Sequence, residues 1–187
     1  MMPHILSIQG KDGEQFQVFR IQPEDYWNIC NMIVANEDRL QLYFPSTKAA
    51  NLTPDLSKRF AQVKSKQFDE NEEYLFTLKP EGSRRIIGLI YIKELNWDTK
   101  QGEFAYCIDY NYEGKGITSK VVNALSEYAF ERLGLNTLQI ITHKTNESSV
   151  KVAEKCNFTW IKTLKGSFTP PGKEALDMEL YERYHNT

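Results

Sequence analysis

Apolar and polar residues change their spacing along this chain in a way that assigns most of it to strands and helices in turn. From Phe16 to Ile21 they alternate singly, the two-residue period of a strand with one face buried. Pro23-Glu24-Asp25 then opens a helix, with Pro at its start and acids near its positive end. Tyr26, Trp27, Ile29, Cys30, Ile33 and Val34 form a helical stripe that carries it to about Asn36. Leu40 to Ala50, which contains Tyr43-Phe44-Pro45, has no clear period. Thr53 as N-cap and Pro54 at the first helical position start a second helix that ends near Asp69. Strand character returns in Tyr74 to Leu78 and Ile86 to Ile92, and the turn Pro80-Glu81-Gly82-Ser83 makes them a hairpin.

A turn at Asn96-Trp97-Asp98-Thr99 leads to a strand from Gly102 to Ile108 and then to a glycine-rich turn. The helix after it, from about Lys115 to Leu133, keeps Ile117, Val121, Ala124, Leu125, Tyr128 and Ala129 on one face. Thr137 to Thr142 is a short buried strand, and Asn146 caps a helix to about Cys156. Phe158 to Leu164 and Leu176 to Tyr181 are the last strands, joined by a loop that includes Gly166 to Gly172. The order β-α-α-β-β-β-α-β-α-β-β predicts an α/β (α+β) fold, a mixed sheet with helices on its faces. The length of 187 residues suits a single domain, 1–187.

Composition narrows the partners. With 41% apolar and 26% charged residues the chain has the balance of a globular protein, and a net charge of −2 offers no broad basic field for nucleic acid. The start MMPHILSIQGKDG lacks a basic leader followed by an apolar core, and no apolar run approaches the ~20 residues that cross a bilayer. A cytoplasmic protein without membrane or nucleic-acid partners is expected. Cys30, Cys107 and Cys156 are widely spaced, which indicates reduced thiols, and His4, His143 and His185 form no ligand pair, so no metal is expected.

The chemistry concentrates at Tyr112-Glu113-Gly114-Lys115-Gly116-Ile117-Thr118, where a strand hands over to a helix. Glycines let backbone approach an anion, and the free N–H groups of a first helical turn grip phosphate. Spacing excludes two phosphate signatures. A P-loop needs Gly five positions before Gly114 and Ser or Thr after the Lys, where Gly116 stands; a dinucleotide fingerprint needs Gly where Ser119 stands.

A third signature fits. Gly102-Glu103-Phe104-Ala105-Tyr106-Cys107-Ile108-Asp109, followed by Tyr112-Glu113-Gly114-Lys115-Gly116, resembles motif A of the GNAT acetyltransferase superfamily. Asn146-Glu147-Ser148-Ser149 with Val152-Ala153-Glu154-Lys155-Cys156-Asn157-Phe158 resembles the N-x-x-S…E-K-x-G-F segment of its RimJ/RimL branch, the ribosomal-protein N-terminal acetyltransferases. With Phe19-Arg20-Ile21…Glu24-Asp25 and Asp177-Met178-Glu179-Leu180-Tyr181, the resemblance spans about residues 16 to 184. It implies the GNAT fold, a mostly antiparallel twisted sheet of about seven strands with about four helices. This sequence departs from the family at Glu113 (Gln or Arg there), Thr118 (Gly or Ala), Ala153 (a catalytic Tyr in many members) and Asn157 (Gly). Asn157 can take the left-handed helix-ending conformation in place of Gly.

The resemblance implies acetyl-CoA as donor, with no metal. Its pyrophosphate would lie on the N–H groups of Gly114, Lys115, Gly116, Ile117 and Thr118, and its pantetheine arm beside Tyr106-Cys107-Ile108 and Asn146. The Lys115 ammonium is expected to offset the charge of Glu113, with a solvated loop lysine as the equal alternative. Glu103 matches the acid of the branch's G-E-x-G-Y pattern and is the first candidate for the base, through water, with a role as counter-ion to the acceptor amine as the alternative; His143 is a second candidate. Ser149 stands in for the missing Tyr as proton donor to the departing sulfur. A backbone N–H near Cys107 or Ile108 would hold the oxyanion. Cys107 reads as a small buried side chain rather than a nucleophile, since no base is evident beside it. Tyr43, Phe44 and Trp97 are candidates for acceptor contacts. An α-amine, of pKa about 7.7–8.0, is roughly a tenth neutral at pH 7 and needs only a weak base, unlike a Lys near 10.4. The expected acceptor is therefore a protein or peptide N-terminus, a ribosomal-protein N-terminus included. A small amine such as a polyamine or aminoglycoside, or a non-catalytic acyl-CoA sensor, is the alternative, with a monomer or homodimer equally open.

Overall fold

A computed structural model describes residues 4–185. The strands are β1 (Leu6–Gln9), β2 (Gln15–Arg20), β3 (Tyr74–Pro80), β4 (Gly88–Asn96), β5 (Gln101–Ile108), β6 (Thr137–Thr142), β7 (Thr159–Phe168) and β8 (Leu176–Tyr184). The α-helices are α1 (Tyr26–Ala35), α2 (Glu37–Leu40), α3 (Pro45–Ala49), α4 (Pro54–Asp69), α5 (Ile117–Glu131) and α6 (Glu147–Lys155). The strands form one sheet in the order β1-β2-β3-β4-β5-β6-β8-β7, in which β5 and β6 are parallel. This is the expected mixed α/β class, with eight strands rather than about seven. The extra one is β1, whose Leu6 and Ile8 pair opposite Val18 and Phe16. Two compact units partition the chain: residues up to Tyr91 with Tyr106–Ile117, and Ile92–Ala105 with the residues from Thr118 on.

In the first unit β1, β2 and β3 are antiparallel, and Phe16, Val18, Leu75, Phe76 and Leu78 are buried. Ile29 and Ile33 of α1 and Phe60 and Ala61 of α4 add to this core. Helix α1 follows a 3-10 turn, Pro23–Asp25, so the acids predicted for a first helical turn sit just before it. Thr53 caps α4 as expected, its hydroxyl accepting the Leu56 N–H at 3.3 Å. The stretch without a period, Leu40 to Ala50, holds α3 and the end of α2, each too short to show one.

In the second unit Val121, Val122, Leu125 and Ala129 of α5 are buried, as are Leu138 and Ile140 of β6. The rings of Phe104 and Phe158 meet edge-on at 6.3 Å. Asn157 has φ +61°, the left-handed helix stop expected in place of Gly. Strand β7 runs to Phe168, past the predicted end at Leu164, because its pairing with β8 resumes after an irregularity at which Gly166 turns to φ +57°. The Asp177 carboxylate holds that irregularity, accepting from Gly166 N–H at 2.9 Å and Lys165 at 2.7 Å. The loop predicted from Gly166 to Gly172 is shortened accordingly.

Gly88 brings β4 close to the end of β5. A Cβ there would stand 3.1 Å from the Cys107 carbonyl oxygen, so the facing backbone would have to give way by a few tenths of an ångström. Gly88→Ala is expected to lower the unfolding free energy by about 1–3 kcal/mol, measured by urea denaturation; an unchanged midpoint would show that the strands can part.

Candidate functional site

The glycine turn belongs to the first unit, and its entry is fixed by a buried carboxylate. After β5 ends, Asp109, 2% exposed, accepts the Asn111 N–H and side-chain amide at 3.0 Å each, and the Arg85 guanidinium at 2.9 Å. Burial alone pushes its carboxyl upward, but the hydrogen bonds from Asn111 and the Arg85 charge outweigh that and hold it below the usual carboxylate range. The next residue is fixed as well: Tyr110 N–H donates to the buried Asn36 side chain at 3.0 Å, and Asn36 donates to the Met32 carbonyl at 2.8 Å.

Gly114 and Gly116 have φ of +70° and +73°, values that side-chain-bearing residues avoid. This also corrects the helix start from Lys115 to Ile117, because a left-handed residue cannot join a right-handed helix. Nothing lies within 4 Å of a Cβ built on Gly114, so the turn is open there. Two left-handed glycines leading into the N-terminus of a long helix form an N–H-lined concavity that suits an oxyanion or phosphate. The charge of Glu113 is met by Arg39, with which it forms an ion pair, while Lys115 instead lies over the Tyr112 ring at 5.0 Å. The expected Glu113–Lys115 compensation is therefore replaced by one that local sequence does not show.

Burial pushes the Cys107 thiol up to about 12, against the lowering effects of the Leu89 backbone and Arg39, so it stays protonated near neutrality. Near it is a polar cluster that sequence reading missed. The Tyr91 hydroxyl shares a hydrogen bond with Thr47 at 3.1 Å and is pushed far upward by burial and by its neighbours Cys107 and Glu73. Glu73 pairs with Lys64 at 2.7 Å. These residues come from separate elements at unrelated spacings, so no motif announces them. Tyr43 and Phe44 are half-buried just before α3.

In the second unit Glu103 is ion-paired to Lys93 at 2.9 Å. The parallel register runs from Gln101↔Thr137 to Phe104↔Ile140, although both strands continue beyond it. Asn146 caps α6 as predicted, accepting Ser149 N–H at 3.3 Å and the Ser148 hydroxyl at 2.9 Å. Ser149 is half-buried, as is Thr118 in the first turn of α5, and Ala153 is fully buried. His143 uses Nδ1 within its own turn, 2.7 Å from the Thr145 hydroxyl. Trp97 is 44% exposed between β4 and β5. Cys156, pushed up to about 11 chiefly by burial, donates to the Ser119 carbonyl at 3.1 Å. Among the described residues no cluster of His, Cys, Asp or Glu could hold a metal, and no helix is long and apolar enough to cross a membrane.

Comparison with known proteins adds a family. Residues 18–159 match the family model for an acetyltransferase (GNAT) domain. The putative ribosomal N-acetyltransferase YdaF of Bacillus subtilis (strain 168) is 29% identical over 156 residues, 79% of this chain and 80% of that protein. Spermidine N(1)-acetyltransferase of Escherichia coli (strain K12) is 28% identical over 94 residues, half of each chain. Among solved structures, the RimL ribosomal L7/L12 alpha-N-protein acetyltransferase in complex with coenzyme A superposes with a TM-score of 0.82 at 17% identity, covering 90% of this chain and 93% of that one. That last likeness is one of fold.

The Asp109 anchor carries a pH signature. Its folded-state pKa lies below the unfolded one, so its stabilisation is present above about pH 4 and fades as pH falls through the folded value. Asp109→Asn is expected to cost on the order of 1–3 kcal/mol at pH 7. The gap in melting temperature between wild type and variant should narrow as pH falls below about 4. A gap that stays constant down to pH 3 would contradict this assignment.

Proposed function

The chain belongs to the GNAT acetyltransferase family, and from that premise we propose that it transfers the acetyl group of acetyl-CoA directly to a primary amine, the α-amine of a protein or peptide N-terminus. The observation that carries the donor is the turn Glu113 to Thr118, with its two left-handed glycines at the start of α5, inside the matched region. The acceptor class rests on the similarity to a putative ribosomal N-acetyltransferase over 79% of the chain.

The bound donor supplies an activated thioester. Its pyrophosphate is assigned to the N–H groups of Gly114, Lys115, Gly116, Ile117 and Thr118, which fit it because no Cβ covers Gly114. Its pantetheine arm is assigned to the Cys107-Ile108 strand end and to Asn146, and the thioester oxygen to a backbone N–H near Cys107 or Ile108. The amine nitrogen bonds the acetyl carbon as the carbon–sulfur bond breaks. Glu103 receives the amine's proton through water, and Ser149 gives one to the departing thiolate and regains it from solvent. The Lys93 ammonium occupies part of the Glu103 carboxylate, which favours this water-borne transfer or a counter-ion role over direct contact. Tyr43, Phe44 and Trp97 are assigned to the acceptor. Cys107 takes no covalent part, since its thiol is held protonated.

A second reading, a small-amine acetyltransferase, is favoured by the likeness to spermidine N(1)-acetyltransferase across half the chain. Release of CoA thiol should be measured with N-terminal peptides, spermidine and aminoglycosides. Turnover highest with peptides supports the main reading, turnover confined to polyamines replaces it, and donor binding without turnover on any amine leaves an acyl-CoA sensor. Glu103→Gln should reduce kcat by about 100-fold or more while leaving the acetyl-CoA Kd unchanged; an unaltered kcat removes Glu103 as base. Cys107→Ala should keep turnover within about threefold of wild type, whereas abolished turnover in a folded variant would revive an acetyl-cysteine route.

A further inference from the structure

The first hairpin, absent from the sequence-based reading, reaches the glycine turn. Strands β1 and β2 are joined through Gly10-Lys11-Asp12-Gly13-Glu14, closed by Gly10 N–H donating to the Glu14 carbonyl at 2.7 Å, with Gly13 at φ +82°. Its base is docked firmly. Phe16 is fully buried and meets the Tyr112 ring edge-on at 5.9 Å, and Gly10 leaves room for Phe16, whose ring would lie 3.0 Å from an added Cβ. From this hairpin Lys11 extends to the turn, its Cε 3.4 Å from where a Cβ on Gly116 would stand. The ammonium, one bond further out, is thus near Gly116, one of the residues whose N–H groups are assigned to the anion seat.

The charges around the turn leave this cation available. Glu113, the acid of the turn, is taken by Arg39, and Lys115 leans on Tyr112. Among the described residues Lys11 has no ion-pair or hydrogen-bond partner. A flexible ammonium held next to backbone N–H donors is the complement of a phosphate: the amides fix its position and the lysine adds charge. We propose that Lys11 is a ligand of the donor's pyrophosphate, so that the β1–β2 hairpin forms part of the acetyl-CoA site. This rests on the acetyl-CoA reading given above.

The test compares wild type, Lys11→Met and Lys11→Arg by calorimetric titration with CoA and with dephospho-CoA, which keeps the pyrophosphate and lacks the 3′-phosphate. Turnover is also followed with acetyl-CoA and with S-acetylpantetheine, which has no phosphate. Lys11→Met is expected to raise the Kd for both CoA and dephospho-CoA by about 5- to 10-fold, and to raise KM for acetyl-CoA alike with kcat preserved. Its KM for S-acetylpantetheine should not move, Lys11→Arg should restore most of the affinity, and added salt should weaken wild type more than Lys11→Met. An unchanged Kd overturns the proposal, as does a loss seen equally with S-acetylpantetheine, which would mean a structural role. A loss with CoA but not dephospho-CoA overturns the pyrophosphate assignment. If wild type itself binds no CoA, the donor reading falls and this inference with it; wild-type binding with an unaffected Lys11→Met removes this inference alone.

Discussion

Nine residues, Asp109 to Ile117, leave a strand, turn left-handed at Gly114 and Gly116 and enter a helix, and a carboxylate buried at the first of them holds the start of that path. Asp109 satisfies the Asn111 amides and holds Arg85 in place, while Asn36 takes the Tyr110 N–H. A backbone carrying two positive-φ glycines has little conformational preference of its own. Its shape must therefore be imposed by the groups at its entry. Charged hydrogen bonds to a buried carboxylate are the strong kind, and leaving such a group without partners is costly, so the turn is tied to the integrity of its unit.

The same economy of charge runs through the rest of the candidate site. In the first unit Glu113 is balanced by Arg39 and Glu73 by Lys64, and in the second Glu103 by Lys93. Each carries a partner that fixes its orientation without burying an isolated charge. Burial pushes up two thiols, Cys107 and Cys156, and keeps both protonated near neutrality. The transfer proposed above, to an amine that is already partly neutral, asks only for positioning and a modest base.

Local sequence spoke clearly wherever a residue acts on its own backbone or its near neighbours. Thr53 and Asn146 cap helices, Asn157 stops one left-handed, and the glycines at 114 and 116 turn the chain, all as their chemistry predicts. The family resemblance drew on Asn146 and on the glycines at 114 and 116, which is why the family was legible. The short helices between Glu37 and Ala49 were not, since four or five residues cannot display a 3.6-residue period. Neither was β1, a four-residue strand stabilised by pairing with β2 rather than by a pattern of its own.

The sequence by itself determined the fold class, the family and the left-handed glycine turn, because those follow from periodicity, caps and glycine conformations within a few residues. Tertiary structure decided which charges meet: Arg39 rather than Lys115 on Glu113, Lys93 on Glu103, Arg85 on Asp109, and Lys11 beside Gly116. Such encounters join residues far apart in the chain, whose distance is set by how strands register and helices pack. Coulombic and hydrogen-bonding energies depend on that distance and leave no mark on the local order of residues.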